Sequence, residues 1–455
     1  MKFHIYIISL LILSSSCGDS FLDVKRDITQ VIPKNIEDYQ SLLDKFGVIN
    51  DKASISLGLV GAAEYTLTDK ALTTWRSMMP YEITGYLWEE EIFDGYESTD
   101  WNNAYHRILY ANMALEVKDI TPTPNQQNAW DNVVGGAHFI RAYSYYQLAQ
   151  LFCKPYDHTT AGHDLGVPLK KNRDVTEKLS RSTVKEVYDL IIDDLEKSYQ
   201  FLPERSSSVI RPQKTSAAVL LTRAYMQMGD YKNALKYAEI AYKSPQQLQH
   251  YSYINPAHGG FPTDYGSSNP EVIFYSAINK PSSTYTDTDA SKEIINLYEH
   301  DDLRFNVFFH PTQDGRLEFK GSFAGLYNNF AGISSGEIYL NYAECLTRNE
   351  QISQGNEILN ELRKMRFTTN SFKAVNKQNS TDLLKYIFEE RRRELYFKGL
   401  AWEDYRRFNK EGKILTTLKR EAYDKVYTLE PNTNRWVWPL PDNEVELNKY
   451  QQNPR

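Results

Sequence analysis

Between Thr222 and Pro245 the chain reads "TRAYMQMGDYKNALKYAEIAYKSP". Ala224 and Tyr225 precede Gly229; Tyr231, Ala234, Tyr237 and Ala241 follow it at steps of three and four, and Pro245 closes the stretch. That spacing predicts two helices, each with a stripe of small and aromatic side chains, joined by a glycine turn and stopped by a proline. Alanines let two helix axes approach, and tyrosines fill the groove between them. A chain built around such a unit buries its apolar surface helix on helix. The same period recurs in "GAHFIRAYSYYQLAQLF", where Phe139, Ala142, Tyr143, Tyr146 and Ala149 share a stripe. It recurs again in "STVKEVYDLIIDDLEKSYQFL" through Val184, Val187, Tyr188, Ile191 and Leu195. There Ser182 or Thr183 is a candidate N-cap, and Glu186, three residues past Thr183, completes a capping box.

The Gly229 unit, about residues 214–245, resembles a tetratricopeptide repeat. A second helix pair is expected between Ile338 and Arg366, through "EIYLNYAECLTR" and "GNEILNELRKMR". No strict array at the repeat's own period follows, so a pure solenoid is not expected. Three regions, 50–98, 244–290 and 300–335, lack helical period and are rich in Gly, Ser, Asn and aromatic residues. They read as long loops, with "EVIFYSA" as a short strand. The expected fold is therefore mainly α: tetratricopeptide-like helix pairs as scaffold, with long irregular loops that carry binding residues. With 455 residues the chain is too long for one core, so several packed substructures are expected.

At the N-terminus Lys2 precedes the apolar run "FHIYIISLLIL", followed by Ser14, Ser15, Ser16 and Cys17. This is the layout of an export signal, and the run is shorter than the roughly 20 residues a membrane-spanning helix needs. A cysteine directly after small residues points to a lipoprotein signal over residues 1–16, with Cys17 as lipid attachment site and mature N-terminus. Neither Cys153 nor Cys345 sits in a C-x-x-C, which argues against structural zinc, and the two are expected to remain unbonded to each other. The net charge of −7 gives no reason to expect nucleic acid.

These segments together resemble the SusD/RagB family of outer-membrane lipoproteins. "CGDSFLDVKRD" is similar to the family's mature N-terminus. "WNNAYHRILYANMALE" resembles its first motif helix through Trp101, Tyr105, Ile108 and Asn112, and "FIRAYSYYQL" its next through Phe139, Arg141, Ala142 and Tyr143. "RSTVKEVYDLIIDDLEKSYQFLP", "FEERRRELYFKGLAWEDYRRF" and the terminal "WPLPDNEVELNKYQQNP" match later blocks in the family's order. Gly136, Cys153 and Lys398 depart from the Glu, Gly and Glu usual in the family, and Arg455 ends the chain where Gly-Tyr is common. The resemblance implies one nutrient-binding domain over residues 17–455, lipid-anchored in the outer membrane of a Gram-negative bacterium and facing outward. It implies a SusC-like TonB-dependent transporter as partner and a glycan, or in some cases an oligopeptide, as ligand. Trp101, Trp402, Trp436 and Trp438 lie in its motifs and are expected to pack.

Catalysis has no support from the residues. Glycoside hydrolysis needs two carboxyl groups across a bond, but every acid of "EERRREL…WEDYRR" has arginines beside it, which keeps a carboxylate ionised. His158, His163 and Asp164 in "HTTAGHD" lack a second cluster, and no phosphate loop or nucleophile elbow is present. Neither cofactor nor metal is expected. Binding has more to draw on: Asp69, Trp75, Arg76, Tyr81, Tyr86 and Trp88 combine flat rings with polar partners in an expected loop, as a sugar's apolar face and rim of hydroxyls require. A further contribution is expected from residues 280–330, through Tyr285 or Tyr327. The other function classes are a tetratricopeptide-type protein adaptor and, further off, a secreted glycoside hydrolase.

Overall fold

The computed structural model describes residues 33–455 except 259–260, 263, 279–280, 282–283, 285–286 and 326–327. Cys17, Tyr285 and Tyr327 therefore lie outside the described residues. The main helices are α1 (Ile36–Leu43), α2 (Asp69–Met78), α3 (Pro80–Tyr86), α4 (Thr99–Ala114), α5 (Gln127–Phe152), α6 (Val184–Phe201), α7 (Lys214–Met228) and α8 (Tyr231–Lys243). After an excursion over residues 244–334 come α9 (Ser335–Arg348), α10 (Ile352–Lys364), α11 (Ser380–Glu394) and α12 (Ala401–Glu411). Packing follows chain order: α4 on α5, α5 on α6, α6 on α7, α7 on α8, α8 on α9, and α9 on both α10 and α11. The fold is mainly α, as expected, and α7–α8 and α9–α10 are the two helix pairs legible in the sequence.

Local chemistry sets the ends of these helices. Thr183 caps α6 by accepting from the Glu186 amide, and the Glu186 carboxylate returns to the Thr183 amide, closing the capping box. Gly229 ends α7 in the left-handed conformation at φ 74°, which glycine adopts at no steric cost. The Asp230 side chain then caps α8 through the Asn233 amide. Across the pair, the Tyr225 and Tyr237 rings stack with centroids 5.8 Å apart.

Helix α5 departs from its sequence pattern. One face was expected inside; the helix is buried all round from Val133 to Phe152. The polar face is accommodated by partners from other elements. His138 Nδ1 lies 2.6 Å from Asp194 on α6, and Arg141 grips the same carboxylate through Nε and Nη2, both at 2.8 Å. Gln147 accepts from the Ser54 amide (2.9 Å) and from Arg107 on α4 (2.8 Å), and Gln150 donates to the Tyr188 hydroxyl (3.0 Å). Burial alone would raise the Asp194 carboxyl, but the bonds from Arg141 and His138 outweigh it and hold the group below its ordinary value.

The strands are short antiparallel pairs. In chain order they are β1 (Tyr65–Leu67), β2 (Leu165–Pro168), β3 (Arg181–Thr183), β4 (Val272–Phe274), β5 (Ala277–Ile278), β6 (Thr288–Ala290), β7 (Phe309–Pro311), β8 (Leu317–Phe319), β9 (Asn329–Phe330), β10 (Ile333–Ser334), β11 (Leu418–Ala422) and β12 (Lys425–Leu429). The pairs are β1–β6, β2–β3, β4–β10, β5–β9, β7–β8 and β11–β12. "EVIFYSA" thus contributes β4 and the start of β5. Cys153 and Cys345 are both free and buried.

The charge-dense C-terminal block is interior. Glu390 is met by Arg304 (2.7 Å), Arg363 (3.0 Å) and Arg393 (2.6 Å). Glu394 is met by Arg304 (3.0 Å) and Arg366 (2.7 Å), and Arg366 also holds Glu271 at 3.0 Å. Asp404 lies 2.7 Å from Arg391, and Glu344 pairs with Arg348 and Arg407. Burial would raise the Glu344 and Glu390 carboxyls, but the guanidinium charges overcome it: Glu344 is held down at about 2 and Glu390 well below its ordinary range. Glu344 and Glu390 therefore stay ionised as structural pairs, whereas Glu403, which accepts from the Tyr146 hydroxyl (2.9 Å), is pushed by burial up to about 7. Lys398, among them, is buried with its ammonium 3.9 Å from the Phe323 ring centroid, and burial lowers its pKa.

Candidate functional site: a groove between α2 and the β11–β12 hairpin

Residues 50–98 are more helical than their sequence suggests. A helix spans Ser56–Gly61, and α2 and α3 follow. Thr68 caps α2 through the Ala71 amide, and Pro80 opens α3 at a position where a missing N–H costs nothing. Each helix has ten residues or fewer, too few turns for a period to emerge from a window rich in Thr, Gly and aromatic residues.

Along α2, Asp69, Thr73, Arg76 and Ser77 fall on one face by the i, i+4, i+7 rule, and Thr73 donates to the Asp69 carbonyl (2.9 Å). Trp75 points the other way and is partly buried against the second apolar cluster, around Leu72 and Phe308. Arg76 binds Glu89 in a two-pronged ion pair, Nη1–Oε1 2.7 Å and Nη2–Oε2 3.1 Å. That bond raises the Arg76 pKa further, against a smaller opposing effect of burial.

Tyr86 and Trp88 are not ligand platforms. They are interior, 1 % and 0 % exposed. The Trp88 indole donates to the Gly61 carbonyl (3.0 Å), and the Tyr86 hydroxyl accepts from the Leu67 amide (3.2 Å). Between them they seat Arg420 of β11, whose guanidinium carbon lies 3.6 Å from the Tyr86 ring centroid and 4.7 Å from that of Trp88. Arg420 also donates to the Val60 carbonyl (2.7 Å) and to that of Tyr86. The two rings thus act one layer down: they fasten the hairpin. Tyr81 is also displaced from the groove and packs on Phe93 and Tyr96, with centroids 6.5 and 6.0 Å away. Trp101, Trp402, Trp436 and Trp438 are buried, as their motifs led one to expect.

The fastened hairpin presents the part that the sequence did not reveal. In β11 Leu418, Arg420 and Ala422 face inward, and the strands pair from Leu418↔Leu429 to Ala422↔Lys425. The two-residue loop is Tyr423–Asp424, both at positive φ (52° and 57°). This is the type I′ pattern normally given to Asn-Gly. Tyr423 is 41 % exposed, yet its hydroxyl reaches back to the Leu72 carbonyl of α2 (3.3 Å). Thr73, Arg76, Ser77 and Glu89 on one side and Tyr423 and Tyr427 on the other enclose an open groove of about 470 Å³. Two phenol faces, a fork of donors paired with a fork of acceptors, and two hydroxyls suit a polyol with one apolar face. Of the expected residues, Arg76 lines the groove and Asp69 lies at the end of the same helix face. The signal for Tyr423 was the pair of turn residues between two alternating runs, "LKREA" and "KVYTL", obscured because Tyr-Asp is not a turn dipeptide by composition.

Stacked helix pairs holding a groove between a helix and a β-hairpin form an α-scaffold with a candidate binding site. Family models specify the class: residues 20–226 match one described as starch-binding, associating with the outer membrane, and residues 328–455 match the SusD family model. The chain belongs to the SusD/RagB family. A SusD-like protein P2 from Formosa agariphila is 32% identical over 149 residues, a stretch that spans 32% of this chain and 27% of that relative. Among solved structures, a SusD superfamily protein from Bacteroides thetaiotaomicron superposes with TM-score 0.74 at 21% identity, covering 93% of this chain and 100% of its own. A SusD-like carbohydrate binding protein from Bacteroides vulgatus gives TM-score 0.68 at 17% identity, covering 92% and 97%. At these identities the likeness is one of fold. Among the described residues no helix is long and apolar enough to cross a membrane.

Proposed function

We propose that this protein is an outer-membrane lipoprotein that binds a saccharide in the groove between α2 and the β11–β12 hairpin and passes it to a SusC-like TonB-dependent transporter. The observation that carries the reading is one open groove lined both by Tyr423 and Tyr427 and by the Arg76–Glu89 ion pair. Aromatic faces take the C–H side of a sugar ring, and charged forks take its hydroxyls as donor and acceptor at once. The anchor rests on Cys17 after its apolar run and serines, and the transporter on the family. Binding without turnover is the reading, because Glu89, held by Arg76, is the single carboxylate among the described residues lining the groove, and glycoside hydrolysis needs two.

Affinity electrophoresis through gels containing starch, laminarin, xylan or pectin tests the ligand class. Retardation by at least one polysaccharide, relieved in Tyr423→Ala, is the expected result. If none retards the protein while calorimetry detects a casein tryptic peptide, the ligand is an oligopeptide and the saccharide reading falls.

A further inference from the structure

A second cavity, of about 590 Å³, lies between the loop from α6 to α7, the segment after α8 and residues 267–273. Its size lies within the roughly 300–1,000 Å³ of small-molecule sites. The wall mixes hydroxyl and amide groups, including Ser207, Gln247, Ser268 and Asn269, with apolar residues such as Val209 and Val272, and has no aromatic ring and no carboxylate, in a chain whose net charge is −7. The single charged group of the lining is Arg205. Of the nearby acids, Glu204 pairs with Lys214 (2.7 Å) and Asp44 with Arg211 (2.6 Å). Asp264 accepts the Ser268 amide through Oδ2 (2.9 Å), its Oδ1 has no partner among the described residues, and it does not line the cavity. Among the described residues Arg205 has no carboxylate within ion-pair distance. Asn269 is 6 % exposed; its Oδ1 accepts from the Glu271 amide (3.0 Å), but its Nδ2 has no partner among the described residues. A buried amide donor without a partner is costly unless something supplies an acceptor.

We propose that this cavity is a second binding site, selective for an acidic sugar unit bearing a carboxylate or a sulfate ester. Arg205 is its counter-charge, and Asn269 and the serine hydroxyls meet the oxygens of the ring. The absence of a stacking platform disfavours a neutral sugar, which would depend on one. The inference stands on residues separate from the hairpin groove.

Calorimetry on the full-length protein in detergent micelles tests it with three probes: trigalacturonate, a galactose 4-sulfate oligomer and neutral galactotriose. At least one acidic probe should bind more tightly than galactotriose, and which one does identifies the acid. Arg205→Ala should weaken that binding by about tenfold, the scale of one charge-assisted hydrogen bond. Ser268→Asp, on an exposed wall position, should weaken it as well, and Tyr423→Ala should leave it unchanged. Equal binding of galactotriose, no binding of either acid, or intact binding in Arg205→Ala overturns the proposal. Loss of acid binding in Tyr423→Ala places the anion in the hairpin groove and overturns this inference alone. Loss only in Arg205→Ala, with no ligand at the hairpin, supports it and overturns the other reading.

Discussion

Tyr423 occupies a backbone conformation that costs a non-glycine residue about 1–2 kcal/mol. The structure holds it there through Arg420 beneath the hairpin and through its own hydroxyl on α2. Such strain at an exposed aromatic tip fits the proposed binding role. Tyr423→Gly is therefore expected to gain stability while losing affinity. Tyr423→Ala should lose about 0.5–1.5 kcal/mol of stacking beyond area burial, roughly a threefold to tenfold drop, read by calorimetry against the saccharide that retards the parent. Full affinity in both variants would remove Tyr423 from the site. A second residue with a measurable signature is Glu64. It is 1 % exposed, and burial pushes its carboxyl from 4.5 up to about 8, against a smaller pull from the Arg392 charge. The folded state thus holds a proton between pH 4.5 and 8 that the unfolded chain releases, so stability falls as pH rises through that window. Glu64→Gln removes the dependence: urea midpoints should favour the variant more at pH 8.5 than at pH 4.5. An equal difference at both pH values would show that Glu64 titrates normally.

At the scale of elements, two glycines separate backbone need from space. At Gly229 a Cβ would meet nothing within 4 Å, so Gly229→Ala costs only its left-handed φ, about 1–2 kcal/mol. At Gly61 a Cβ would come within 2.7 Å of Trp402 and 2.8 Å of Trp438, whose stacked rings pack in the core. Gly61→Ala should cost about 3 kcal/mol and alter tryptophan fluorescence, which Gly229→Ala should leave as it is; the reverse order in thermal melts would contradict this. The same contrast explains what the sequence made legible. Caps, the Gly229 turn and the α7–α8 stripe are local chemistry and could be read from Thr183, Glu186, Gly229 and Tyr237. Helix α5 could not be read fully, because His138, Arg141, Gln147 and Gln150 have partners on α4 and α6 and on the segment before α2. The site was half visible for a similar reason: Arg76 belongs to a local helix face, whereas Tyr423 meets it across nearly the whole chain. Trp88 and Arg420 are as far apart, so nothing local distinguished an interior tryptophan from an exposed one.

For the whole molecule, the anchor and the partner are the quantities to measure. Cys17→Ala should move the protein from the outer-membrane fraction to the soluble one, and retention of the variant would show that another device holds it. Mild detergent extraction of the parent at native expression should bring down a TonB-dependent barrel; recovery of the parent alone would remove the transporter from the account.

Helices α8 and α9 are spatial neighbours although residues 244–334 leave and return between them. The scaffold is thus continuous without the excursion, which is riveted to it by Glu271 on Arg366 and by Arg304 on Glu390 and Glu394. The excursion is also packed into the scaffold's core, where the Phe274 ring meets those of Phe139 and Tyr143 with centroids 5.0 and 5.9 Å away. A segment grafted in its place therefore has to bring a ring for that pocket as well as an acid opposite Arg366 and a guanidinium opposite Glu390 and Glu394, so that what reads as a long loop along the chain is a structural member of the helical stack.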